Sequence, residues 1–281
     1  MGFRRIIKNF KIDGFDGFFY RLLKKLNFKI KYLNIREKNK YNLDQRILKI
    51  TNNQIISGLY KGTYLVGKNH WGAHDFSSKM LGVYEEQVQK KILDIKERHN
   101  LEYLVNFGAS DGFHVLGLIK NKIFKKGFAF EINPAERIIL KKNIEKNNLC
   151  EKIEIFEKAN FEEIFNILDS KKLEKSLFLI DIEGGEFDLF RPEYIKKLER
   201  SFFIIENHDF LLRDIKKKRD LDNLLKNYFD IELIKNSGRN PFAFDFIKDL
   251  SDDERWLIMS EGRPCEMNWI VLRPKKDITL K

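Results

Sequence analysis

From Asn100 onward, short apolar runs alternate with amphipathic stretches. The runs LEYLVNFG (101–108), KGFAFEI (126–132), KIEIFEKA (152–159), SLFLIDIE (176–183) and SFFIIENH (201–208) predict five strands. Between them apolar residues recur at helical spacing near 112–121, 135–147, 161–168, 187–198 and 214–227. Such alternation predicts an α/β fold, a mostly parallel sheet with helices on both faces. Right-handed crossovers then bring the C-terminal ends of the parallel strands to one edge, where open α/β sheets bind ligands.

The residues expected at that edge are polar. The first strand runs into the glycine turn of VNFGASDG (105–112), the second into Glu131, Ile132 and Asn133, and the third into Lys158, Ala159 and Asn160. The fourth ends in Asp181-Ile182-Glu183-Gly184-Gly185-Glu186 and the fifth in Glu206-Asn207-His208-Asp209. Each alone suits a helix cap, but four ends of five carry a carboxylate or an amide. The turn lacks both the G-x-G-x-x-G spacing of a dinucleotide site and the lysine and Ser/Thr of a phosphate loop, which disfavours a polyphosphate. Glu131 lies twenty residues beyond Asp111, about the interval at which an acid takes ribose hydroxyls in nucleoside-binding βαβ units. An adenosine without phosphates fits both features.

Three segments, VNFGASDGFHVLG, AFEINP and FLIDIEGGEFDLF, together resemble in order and spacing the S-adenosylmethionine-dependent methyltransferases of the FkbM family, within the class I methyltransferase fold. The resemblance covers about residues 80–275 and is most specific in IDIEGGE. It implies S-adenosyl-L-methionine as cofactor and a Rossmann-like sheet of seven strands, mostly parallel with an antiparallel last strand, in which FDIELIK (229–235) and MNWIVLRP (267–274) are the sixth and seventh strands with a short helix around 252–259 between them. It also implies that Gly108, Ala109, Ser110 and Asp111 shape the turn beneath the methionine moiety, that Glu131 binds the ribose hydroxyls and that Ile132 packs on adenine. Asn160 matches the place that contacts the adenine edge, and Asp181 the place where the fourth strand meets the reaction centre. One departure is Asn106, which stands where an acidic residue is common in this fold. The acceptor class that the resemblance implies is a hydroxyl of a saccharide or of a cell-surface glycan precursor.

A sulfonium is already a strong methyl donor, so the protein must align an acceptor oxygen, exclude water and take up one proton. Asp181, Glu206 and His208 are the candidate catalytic residues. His208 is the candidate base, because an unperturbed imidazole titrates near 6.5. Alternatively the three ligate a divalent metal that acidifies the acceptor hydroxyl, or His208 is a hydrogen-bonded structural residue. Acceptor contacts are expected from Arg239, Asn240, Arg255, Trp256 and Arg263 in the last connection. A second supply is residues 67–86, rich in His70, Trp71, His74 and Tyr84 and expected as a lid or a packed segment preceding the first strand.

Charge changes the picture at one end only. The net charge is +11, and residues 1–50 hold 14 Lys+Arg against 4 Asp+Glu, leaving 39 against 38 in the remainder. A basic arm on a neutral body points to docking rather than to a nucleic-acid substrate. Phe15, Phe18, Phe19, Leu22, Leu23 and Leu26 form one helical face, so residues 15–26 are expected to pack on the domain or a second subunit, or to meet an anionic membrane surface. The expected organisation is an arm over 1–50, a lid segment over 51–99 and a methyltransferase domain over 100–281. Two cysteines, Cys150 and Cys265, make no disulfide framework and are expected to be buried thiols. The absence of a spanning or signal segment leads to a cytoplasmic expectation, with peripheral attachment at the inner membrane face as its variant. The rival functions are an RNA methyltransferase gripping phosphates through the arm, and a non-catalytic scaffold that docks a partner.

Overall fold

The computed structural model describes residues 35–66, 75–212, 215–263 and 265–275. The aromatic stripe at 15–26 and three of the four lid residues, His70, Trp71 and His74, lie outside them. Among the described residues three helices precede the sheet: α1 (Ile35–Thr51), α2 (Phe76–Leu81) and α3 (Glu86–His99). Helix α1 runs across position 50, and its Leu43, Ile47 and Leu48 join the core of the body. The body then follows as β1 (Tyr103–Phe107), α4 (Phe113–Lys120), β2 (Lys126–Phe130), α5 (Pro134–Lys146), β3 (Ile153–Phe156), α6 (Phe161–Ile167), α7 (Ser170–Glu174) and β4 (Ser176–Ile180). It continues through α8 (Glu186–Leu189), α9 (Pro192–Leu198), β5 (Phe202–Glu206), α10 (Ile215–Tyr228), β6 (Phe229–Lys235), α11 (Asp252–Ile258) and β7 (Asn268–Pro274).

The sheet order is β3-β2-β1-β4-β5-β7-β6, with β7 antiparallel to both of its neighbours and the first five strands parallel. That order, reversing direction between β1 and β4 and ending on an antiparallel hairpin, is the class I methyltransferase fold. The strands read as unbroken apolar runs because both faces are covered. In β1 and β4, Leu104, Leu177 and Leu179 pack into one core, while Val105, Phe107, Phe178 and Ile180 alternate into the other. The second core is built on aromatic rings. Phe178 and Phe203 stack at 4.9 Å, and Phe107 meets Phe130 edge-on at 4.8 Å.

Two expectations need correction. The helix expected over 187–198 is two helices, because Pro192 holds Arg191 extended (φ −119°, ψ 151°) and starts α9 afresh. Cys150 and Cys265 are both exposed. Each sits in a connection outside the core, Cys150 between α5 and β3 and Cys265 before β7, so neither thiol is covered by a packed element.

One close approach ties the segment before the sheet to the body. A Cβ on Gly117, inside α4, would lie 2.2 Å from Cγ of the fully buried Tyr60 ring. Gly117→Ala gains helix propensity of up to about 1 kcal/mol but overpacks by roughly 1–3 kcal/mol. A net loss of about 1–2 kcal/mol is expected, read as a lower urea midpoint at unchanged m-value. An unchanged midpoint would show that Tyr60 gives way freely.

Candidate functional site

The C-terminal edge of the parallel strands opens into a cavity of about 700 Å³. Its floor is the turn after β1. The backbone N–H groups of Gly108 and Ala109 both donate to the Phe130 carbonyl (2.9 Å each), bending the chain away from the sheet. Gly108 has φ +79°, and a Cβ there would lie 1.6 Å from the Asp181 carbonyl oxygen, so only glycine lets β4 approach this closely. Ser110 also adopts a positive φ (47°). Glu131 secures it: Oε2 accepts from the Ser110 N–H and Oε1 from the Asn133 N–H, both at 2.8 Å. Glu131 is buried yet lines the cavity beside Ile132, which is two-thirds exposed at the rim.

Asp111 stands differently from its neighbours in the turn. It is buried, with Oδ1 accepting from the Phe113 N–H (3.0 Å) and Oδ2 from Lys79 Nζ (3.0 Å). Lys79 also pairs with Asp75 (2.8 Å). Burial alone would lower the Lys79 pKa, but Asp111 and Asp75 outweigh it and raise it. Every residue of α2, which carries Lys79, is buried, so this stretch of the expected lid is a fixed wall of the cavity. Asn160 lies off the wall. Its Oδ1 caps α6 by accepting from the Glu162 N–H (2.8 Å), while Lys158 and Ala159 line the cavity in its place.

At the ends of β4 and β5, Asp181, Glu206 and His208 converge. The His208 Nε2 lies 3.3 Å from Glu206 Oε2, 3.4 Å from Glu183 Oε2 and 3.7 Å from Asp181 Oδ1. Its Nδ1 faces Glu186 Oε1 at 3.1 Å, and Glu186 Oε2 accepts from the Gly184 N–H (2.9 Å). Burial would push the His208 imidazole down, but Glu186, Glu206 and Asp181 outweigh it and hold it up at about 11. Held that way, the ring favours the imidazolium, so the base role expected of His208 requires that it first give up a proton. Burial and then the Glu206 charge push the Asp181 carboxyl well above the usual range. Glu206 is driven up by burial but further down by the His208 hydrogen bond and the Arg263 charge, to about 2.

Arg263 binds this cluster to the far wall. Its guanidinium contacts Glu206 and Glu85 through short ion pairs and Glu261 at 2.8 Å. Glu85 continues to His114 Nε2 (2.8 Å), whose Nδ1 meets the Tyr60 hydroxyl (2.9 Å). A chain of polar contacts therefore spans the cavity from α4 to the turn after β4. The other residues expected to hold the acceptor are engaged elsewhere. Arg239 pairs with Glu261 and donates to the Met259 carbonyl (2.7 Å), and Arg255 pairs with Asp252 over the Phe242 ring. Asn240 accepts from the Phe242 N–H (2.9 Å), and Trp256 is exposed away from the cavity wall. The apolar groups at the mouth are instead Phe210 and Leu211, both nearly half exposed.

Sequence patterns did not reveal Lys79, Glu85 or the role of Arg263. Nine carboxylate side chains line the cavity, against Lys79, Lys158, Arg263, His114 and His208. Lys79 and Arg263 are already paired, so the interior is acidic.

No protein-family model matches the chain, and no curated protein matches it. Solved structures that align with it include the O-methyltransferase from Bacillus cereus in complex with SAH (TM-score 0.47, 12% identity, 83% of this chain and 91% of that one). A putative caffeoyl-CoA O-methyltransferase from Staphylococcus aureus aligns with TM-score 0.43 and 10% identity over 92% of this chain and 98% of that one. The precorrin-6y C5,15-methyltransferase from Geobacter metallireducens GS-15 aligns with TM-score 0.42 and 12% identity over 68% of this chain and 89% of that one. The fold rests on the sheet order itself: the chain has the class I methyltransferase architecture, with its cavity at the edge where that architecture binds ligands.

Proposed function

We propose that this chain is an S-adenosylmethionine-dependent O-methyltransferase whose acceptor is a hydroxyl of a saccharide or of a related cell-surface glycan precursor. The observation that carries the proposal is the juxtaposition, on one acidic cavity, of the Gly108–Asp111 turn, the Glu131 carboxylate and the Asp181 carboxylate. Glu131 retains lone pairs toward the cavity after accepting two backbone N–H groups, and these suit two adjacent ribose hydroxyls. An excess of carboxylates favours a cationic sulfonium over the neutral thioether left after transfer, which also helps the product leave.

In the proposed reaction the acceptor oxygen attacks the methyl carbon. An O–CH3 bond forms, the C–S bond breaks, and its electron pair returns to sulfur. The hydroxyl proton passes to the Asp181–Glu206 pair. Of the two, Asp181 holds a proton the more tightly, because burial and the neighbouring charge raise its proton affinity, so the proton settles there when the pair starts ionised. His208 and Arg263 hold Glu206 ionised. The acidic interior disfavours a phosphate-rich acceptor beside the reacting carbon, which speaks against RNA. Acceptor class and the glycan reading come from the sequence resemblance.

Calorimetric titration with S-adenosylhomocysteine tests the cofactor reading. Binding is expected in the wild type. In Glu131→Gln, where one acceptor oxygen remains to hold the turn, affinity should fall by roughly 10–100-fold, the loss of about 1.5–3 kcal/mol in hydrogen bonds to a charged group. No binding by the wild type overturns the proposal and favours the scaffold alternative.

A further inference from the structure

We infer that Asp181, Glu206 and His208 form a binding site for one divalent cation, of the Mg2+ or Mn2+ class, at the acceptor end of the cavity. One ligand atom from each of the three lies within 4.8 Å of the others, and the His208 Nε2 distances to Glu206 Oε2 and Asp181 Oδ1 are 3.3 and 3.7 Å. Two ligands about 2.1 Å from a common ion stand roughly 3.0 Å apart at right angles and roughly 4.2 Å apart when opposed. The two separations from His208 fall within that range.

Two further observations point to a cation. Asp181 Oδ1 is sealed from solvent and has no hydrogen-bond partner. Three carboxylate oxygens, from Asp181, Glu183 and Glu206, surround the single Nε2 within 3.7 Å, and one proton there can serve only one of them. Arg263 does not supply the missing charge, because it is shared among Glu85, Glu206 and Glu261. Behind the ring, the buried Glu186 takes Nδ1 at 3.1 Å and is itself held by the Gly184 N–H. That is how a carboxylate orients a ligating histidine, with the Nε2 lone pair turned to the ion.

An O2N donor set with open positions toward a cavity suits a hard or borderline cation that binds further oxygens. The cation site stands independently of methyl transfer. Its use, to orient and acidify a hydroxyl or an adjacent pair of hydroxyls, rests on the proposed function.

Mn2+ titration of the full chain, followed by loss of the free-ion paramagnetic resonance signal, tests the inference. One Mn2+ per chain is expected, displaced by excess Mg2+. Asp181→Asn, whose side chain is one-third exposed and tolerates the change, and His208→Gln should each weaken binding by at least ~10-fold. Glu186→Gln should weaken it by roughly 10–100-fold. The inference fails if wild type leaves the signal intact at concentrations on the order of 1 mM, or if Asp181→Asn binds as tightly as wild type. S-adenosylhomocysteine titrated into the same samples separates the two readings. Cofactor binding without Mn2+ binding overturns the cation site alone, and Mn2+ binding without cofactor binding overturns the methyltransferase.

Discussion

Gly108→Ala is expected to abolish S-adenosylhomocysteine binding and to lower Tm by roughly 5–15 °C. The new methyl carbon would sit 1.6 Å from the Asp181 carbonyl and 3.3 Å from the Ile182 side chain. The first distance is impossible, so β1 and β4 must part where they frame the cavity. Overpacking costs roughly 1–3 kcal/mol and the left-handed backbone roughly 1–2 kcal/mol more. Gly62 separates these two parts. It has φ +81° with no atom near its missing Cβ, so Gly62→Ala bears only the backbone cost and should leave cofactor binding untouched. If Gly108→Ala resembles Gly62→Ala in both stability and binding, the close approach of β4 does not matter to the site.

Asp181→Asn should lower kcat by roughly 10²–10⁴-fold, the usual contribution of a positioned proton acceptor. An amide keeps the shape of the side chain but takes no proton, and it binds a cation less well than a carboxylate. S-adenosylhomocysteine affinity should change little, because the Asp181 carboxyl faces Glu206 and His208, whereas the proposed cofactor contacts come from the turn backbone and Glu131. A loss confined to KM at full kcat would assign Asp181 to acceptor binding and remove it from proton transfer. A loss of cofactor affinity comparable to the loss of turnover would place it in the cofactor subsite.

The strand ends explain why so much of the site was legible. Each of the five parallel strands ends on or against a glycine or an acid, and parallel order carries those marks to one edge. Gly108, Glu131, Asp181 and the pair Glu206 and His208 therefore reach one cavity from four separate stretches of chain. Asn160 shows the limit of that logic. The same pattern places it at the edge, but a residue in position to cap a helix spends its side chain on the helix.

What remained hidden depends on distance along the chain. Lys79 meets Asp111 across 32 residues, Arg263 meets Glu206 across 57 and Glu85 across 178. No local period encodes such pairs; they exist only because α2, the start of α3 and the loop before β7 are packed against the same cavity. The charge states follow from that packing as well. An imidazole held at about 11 beside a carboxyl held at about 2 is set by which groups share a buried space, and residue type alone suggests the ordinary values. The sequence by itself determined the five parallel strands and the polar residues at their ends, because hydrophobic period and turn chemistry are local. Only the tertiary structure decided which acids stay ionised, which cations are already engaged and which three side chains come close enough to hold an ion, because those are properties of groups brought together through space.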